Sequence, residues 1–394
     1  MSAAAVENLP GRSPALPVAT AVLINMVMGV VYVWSLFLLP LEAFLQISRA
    51  ELSIVPSIAL ASFTVGMVLH DALLRQLGRS KFSILAFALA GLGHLSFAIW
   101  PGYWSLLLGY GLAFGLGAGL GYGLALALVS TTPDRSRAMA IGAVMAAFAF
   151  SGVALPFLLG PLIRIISPPV GFGVIGGAIL AVGACVLLLL LRFGKVEAKQ
   201  PKGGPLTAGA DGFFGSDFLI LATTFFFICF VGLMVVSQST GVLASNGLSA
   251  RVVELSPALF TIGYLVGSLF GGRLVEVLTG WRTLTFASII GGLGLWLLDT
   301  PVAALALAGA AAVGATFGSS ASFMPTLIGE RYGAARIGQI YSKMMISYGL
   351  AGLLAPWISG LLFSHFGSYR VPILVGVAMC ALSALLGLAL RRKS

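Results

Sequence analysis

The chain has 394 residues, of which 59% are hydrophobic and only 9% charged, where a soluble domain is about 25% charged. No soluble core of this length can use so much apolar surface, so a soluble globular class is excluded. The formal net charge of +10 could suggest an acidic partner such as nucleic acid, but where the charges fall along the chain decides that question.

The stretch before Val18 is polar, carries Pro10, Pro14 and Pro17, and lacks the basic region and cleavage site of a secretory signal. It reads as a cytoplasmic tail over 1–17. Apolar runs of roughly twenty residues then recur, each long enough to cross a hydrocarbon core of about 30 Å. They predict spans near 18–40, 51–71, 82–100, 103–129, 137–160 and 170–192. Hydropathy then collapses in FGKVEAKQPKGGPLTAGADGFFGS, a linker over 193–216. Six further spans follow near 217–240, 256–276, 283–299, 302–326, 338–363 and 371–390, with a cytoplasmic tail over 391–394. The run lengths and the lack of apolar/polar alternation exclude strands, so the spans are helices that satisfy their own backbone. The expected fold class is an all-α membrane protein of twelve transmembrane helices in two six-helix bundles, 18–192 and 217–390. With the N-terminus inside, all but Arg49, Arg164, Arg251 and Arg370 of the 22 basic residues face the cytoplasm, as the positive-inside rule requires. The basic charge therefore reports orientation in an inner membrane, and no nucleic-acid partner is implied.

The two halves repeat at an offset of about 200 residues. Gly66 with the loop ending LLRQLGR answers Gly267 with the loop ending VEVLTGWR, and SGVALPFLLGPL around Pro156 answers AGLLAPWISGLL around Pro356. Such duplication is the signature of carriers whose halves rock about a site near the bilayer midplane. The glycine-rich run 109–123 reads as close helix packing. Its GxGxxG-like matches are not nucleotide loops, because no strand precedes them. Cys185, Cys229 and Cys380 are scattered through apolar runs with no second ligand nearby, so no disulfide, metal site or cofactor is expected, and no nucleophile paired with a base points to an enzyme.

Several segments resemble the major facilitator superfamily, and within it the oxalate/formate antiporter and monocarboxylate transporter branch. They are NMVMGVVYVWSLFLLPL (25–41), GMVLHDALLRQLGR (66–79), LGYGLAFGLGAGLGYG (108–123), TPDRSRAMAIG (132–142), VGLMVVSQ (231–238) and YGLAGLLAPWISGLL (348–362). The resemblance implies a secondary or facilitated transporter of a small organic acid, a monocarboxylate above all, working by alternating access. It further implies a small-molecule substrate, a coupling proton or counter-anion, a monomeric carrier, and a gate at Asp71, Arg75 and Arg79 in the loop after the second span. The branch holds its carboxylate with an Arg in the eighth span and a Lys in the eleventh. Here Ser268 and Tyr348 occupy those positions, and Lys343, more than a turn nearer the cytoplasm, is the nearest replacement.

Intramembrane charges are costly and usually functional, yet nearly all charged residues fall in loops or at span ends. The expected cavity is therefore near neutral. By resemblance it is lined from the first, fourth, seventh, eighth, tenth and eleventh spans, giving Asn25, Tyr32, Tyr122, Gln238, Tyr264, Ser320 and Tyr348 as substrate-binding residues beside Lys343. Ser35 and Ser319 share those faces, Trp34, Trp100 and Trp104 read as interfacial anchors, and His94 reads as a packing residue of a peripheral span. A carrier or efflux protein for a neutral or amphipathic molecule fits the missing cations and stands as the alternative. A soft-metal carrier, resting on Met26, Met28, Met67, Met234, Met344 and Met345, finds only an ordinary number of methionines.

Overall fold

The computed structural model describes residues 15–129, 134–163, 165–192, 215–333 and 336–391. Residues 1–14 of the N-terminal tail expected over 1–17, residues 193–214 of the linker expected over 193–216, and the tail after Arg391 lie outside the described residues. Eleven described helices are long and apolar enough to cross a membrane. One of them, Arg49–Ile99, has 51 residues, about 75 Å at 1.5 Å per residue, more than twice the hydrocarbon thickness. It breaks at Gly78 (φ 70°, ψ 164°), a conformation that costs glycine little and other residues much. The break yields two spans, which makes twelve crossings among the described residues.

We number them α1 (Ala15–Leu45), α2 (49–77), α3 (79–99), α4 (Tyr103–Val129), α5 (Asp134–Ile163), α6 (Pro168–Arg192), α7 (Ser216–Ser245), α8 (Ala250–Leu278), α9 (Gly280–Leu298), α10 (Ala303–Tyr332), α11 (Ile337–Phe366) and α12 (Arg370–Arg391). The large apolar side chains on the outside, such as Val68 and Leu269, are 73% and 69% exposed, the surface expected of a protein solvated by lipid.

The duplication reaches down to single torsions. Thr279, between α8 and α9, adopts φ 71°, ψ 157°, almost the values at Gly78 between α2 and α3. A β-branched residue there is strained, and the second half holds it nonetheless. Helix contacts repeat too. A Cβ on Gly66 of α2 would stand 2.5 Å from the Leu116 carbonyl oxygen of α4, and one on Gly267 of α8 would stand 2.8 Å from the Ala315 carbonyl carbon of α10. Both pairs cross backbone on backbone, the small-residue packing available where lipid supplies no hydrophobic drive.

At the end of the bundles far from the linker, hydrogen bonds join the two halves. Gln238 of α7 donates to the Ser53 hydroxyl of α2 (2.8 Å), the Trp357 amide of α11 donates to Ser57 (3.0 Å), and the Ala50 amide donates to Ser364 (2.9 Å). Thr240 donates to the Ser35 carbonyl of α1. This face is sealed.

Candidate functional site

Midway along α1 the helix tightens into a 3-10 stretch at Gly29–Val33, a departure that often marks a hinge. Gly29 lets α5 pack closely on this stretch, because a Cβ there would stand 2.8 Å from the Phe148 carbonyl carbon of α5. The stretch carries Tyr32 to the seam between the bundles. There a chamber of about 80 Å³ opens, lined from the first bundle by Tyr32, Phe63, Met67, Tyr122, Met145 and Phe148. The second bundle supplies Phe225, Cys229, Tyr264, Phe317, Ser320, Ala321, Tyr341, Met345 and Tyr348. At roughly 30 Å³ per water, the space suits a molecule of a few heavy atoms.

None of these described lining residues carries a formal charge; the polar groups are five phenols, one hydroxyl and one thiol. Tyr32 of the first bundle meets Tyr264 of the second edge-on, 5.7 Å between ring centroids, so aromatic rings of the two bundles touch across the chamber. The Tyr122 hydroxyl rests 2.7 Å from the Met145 sulfur. Rings wall the space: Tyr32 and Tyr122 stand edge-on to Phe148 at 5.3 and 5.1 Å between centroids, and Tyr348 lies parallel to Phe317 at 6.4 Å. Edge-to-face pairs of this kind hold their orientation. Phenols both donate and accept, so the ring can bind either polarity of neutral group but offers an anion no fixed counter-charge.

Of the residues expected at the substrate, Tyr32, Tyr122, Tyr264, Ser320 and Tyr348 line the chamber, whereas Asn25, Gln238 and Lys343 are not among its lining residues. Asn25 is fully buried and donates to the Val144 carbonyl at 3.0 Å, tying α1 to α5 inside one bundle. Gln238 sits in the sealed far end, bonded to Ser53 and accepting from the Tyr369 hydroxyl at 2.7 Å. Lys343 is half-buried between the lining residues Tyr341 and Met345 in the chain. Ser319 spends its hydroxyl on the Thr316 carbonyl of its own helix. Of the residues expected at a gate, Asp71 and Arg75 form an ion pair one turn apart, and Arg79 follows the break at Gly78. Trp34 is no interfacial anchor: it is 2% exposed and packs on Tyr110 at 5.0 Å, whereas Trp100 and Trp104 are exposed. His94 is buried against Tyr110, Phe114 and Phe172, with Nδ1 3.1 Å from the Ala90 carbonyl oxygen.

Phe63, Phe148, Phe225, Phe317, Tyr341 and Cys229 also line the chamber, and along the sequence no contrast sets an apolar residue apart on an apolar helix. A wider cleft of about 1000 Å³ lies at the linker end, but all its lining residues, including Asp217, Glu276 and Arg331, belong to the second half. It is a surface recess, not a space between moving halves.

The model of the family described as Major Facilitator Superfamily matches residues 19–244 and 219–394. The chain belongs to the major facilitator superfamily. Its members are membrane transporters rather than enzymes, and the twelve spans in two related bundles are the superfamily's fold. Among solved structures the chain is similar to a bacterial homolog of the human lysosomal transporter Spinster, in its inward-facing occupied form. That match has 16% identity, a TM-score of 0.71, and covers 98% of each chain. The inward-facing unoccupied form matches with 16% identity and a TM-score of 0.69, over 96% of this chain and 97% of the other. A D-xylose-proton symporter matches with 16% identity and a TM-score of 0.75, over 95% of this chain and 97% of the other. These likenesses establish the fold. No curated protein matches the sequence.

Proposed function

We propose that this superfamily member carries a small monocarboxylic acid across a cell inner membrane by alternating access, with both termini cytoplasmic and the monomer as the working unit. The observation that carries the reading is the chamber of about 80 Å³ ringed by five phenols and no described charge. Its size matches a molecule of a few carbons, and its donors match a carboxyl group. The energetics favour the protonated species. Protonating an acid of pKa near 4 at pH 7 costs about 4 kcal/mol, whereas burying an unpaired carboxylate costs considerably more. The acid therefore enters the ring with its proton, which makes the proton the coupling ion. The substrate contacts fall to Tyr32, Tyr122, Tyr264, Ser320 and Tyr348, and the linker-side gate to Asp71, Arg75 and Arg79.

Uptake of radiolabelled lactate, pyruvate and formate into proteoliposomes tests the proposal. Saturable, mutually competitive uptake is expected, lost in Tyr122→Phe and Tyr348→Phe while thermal unfolding is unchanged. If none of the three acids moves, the monocarboxylate reading fails. The missing cation equally favours a neutral or amphipathic solute; thermal stabilisation by such compounds, with carboxylates inert, would replace the first reading by this one.

A further inference from the structure

Among the described residues Arg49, at the start of α2, is the one Arg or Lys side chain in the buried class, 6% exposed. Burying a guanidinium requires partners on all its donors, and its partners divide between the two halves of the protein. Within its own bundle Arg49 is held by Glu42 of α1, with Nε donating to Oε2 at 2.9 Å and Nη2 completing the ion pair. Across the seam, Nη1 donates to the hydroxyl of Tyr369, the residue before α12. The Tyr369 hydroxyl in turn donates to Gln238 Oε1 at 2.7 Å, and Gln238 Nε2 returns to Ser53 of α2 at 2.8 Å. Phe363 of α11 stacks on Tyr369 at 4.4 Å and lies under the guanidinium at 4.6 Å.

We propose that Arg49, Tyr369 and Gln238 form a latch that keeps the far face closed, and that Tyr369 is its single joint. Separation of the bundles at this end breaks Arg49–Tyr369, Gln238–Ser53 and the cation–π contact together. Arg49–Glu42 stays whole, because both residues travel with the first bundle. The cation is thus never left uncompensated, and opening costs only the bonds that cross the seam. A purely structural ion pair would have no reason to recruit a phenol and an amide from the opposite half. Gly360 of α11 allows the approach, since a Cβ there would stand 2.8 Å from the Arg49 carbonyl oxygen.

The readout needs no substrate, so its failure leaves the transport reading untouched, and the converse holds. Nitroxide labels at Ala43 and Ala250, both exposed at the far end and one in each half, report opening by pulsed dipolar distance measurement on protein with Cys185, Cys229 and Cys380 replaced by alanine. Tyr369→Phe keeps the ring stack and removes both hydroxyl bonds. It is expected to raise the far-open population relative to the closed by roughly tenfold, the scale of one charge-assisted buried hydrogen bond. Gln238→Met is expected to move it in the same direction by less. The double variant should fall short of the product of the two effects, because they share the Tyr369 hydroxyl. Distance distributions unchanged in both single variants, or effects that simply multiply, would overturn the latch.

Discussion

Gly318 on α10 lies against the backbone of Tyr264 on α8, and replacing it with alanine tests whether the chamber depends on that contact. A Cβ at Gly318 would stand 2.7 Å from the Tyr264 carbonyl carbon, where ordinary contact starts at 3.4 Å. The two backbones must therefore part by at least the difference, about 0.7 Å, and neither can yield as a side chain would. A solute hydrogen bond of about 2.8 Å to the Tyr264 phenol, lengthened by that amount, reaches about 3.5 Å, beyond useful geometry. Tyr264 also meets Tyr32 edge-on across the seam, 5.7 Å between ring centroids, and the same shift disturbs that pairing. Overpacking of this kind costs about 1–3 kcal/mol, and losing one net hydrogen bond to the substrate ring is worth about 1 kcal/mol, close to fivefold in affinity. Gly318→Ala is accordingly expected to unfold several degrees earlier in detergent and to raise the uptake KM about fivefold. Gly177→Ala, with nothing within 4 Å of its new Cβ, should be neutral or gain up to about 1 kcal/mol from helix propensity. Wild-type melting and uptake in Gly318→Ala would show that the α8–α10 contact does not position the tyrosines.

Asn25→Leu should lower the melting temperature without changing the KM of any transported solute, since its amide bonds α1 to α5 and does not face the chamber; a selective KM change would return it to the substrate site. Thr279→Gly should raise the melting temperature by relieving about 1–3 kcal/mol of left-handed strain, and Gly78→Thr should lower it by a like amount; equal and opposite shifts measured by thermal unfolding would verify the shared turn. Asp299, outside the spans, has its carboxyl pushed up from 3.8 by burial, against the opposing pull of Asn246 and Arg370. The folded state therefore holds that proton more tightly than the unfolded state. The stability it contributes is full below about pH 3.8 and is lost as pH rises through the raised value. Asp299→Asn should flatten the melting profile over that interval, and a profile identical to wild type would remove the carboxyl from the account.

The spans and the twofold repeat were legible because membrane helices are set by length and hydropathy alone, and because duplicated turns carry duplicated residues. The seam was far less so. Tyr32 and Gln238 both read as polar groups on apolar helices, yet one faces the chamber and the other the far-end latch, and hydropathy has no coordinate for depth along a span. Phe148 and Phe317, which wall the chamber, are invisible to any contrast of polar with apolar. Arg49 read as a loop residue at a span end, and only folding brings Tyr369, 320 positions later in the chain, onto its guanidinium. The offset between the halves is also finer than the motifs suggested: the loop glycine after the second span is answered by Thr279, not by the neighbouring Gly280.

A ring of phenols has one more consequence for the working cycle. A carrier whose pocket holds a fixed cation cannot readily return empty, because the bare charge must cross the membrane's low-dielectric centre, and such proteins trade one anion for another. Here water can take the place of cargo on the same hydroxyls at little electrostatic cost. The unloaded protein should therefore reset by itself, and vesicles with nothing inside to exchange should still fill.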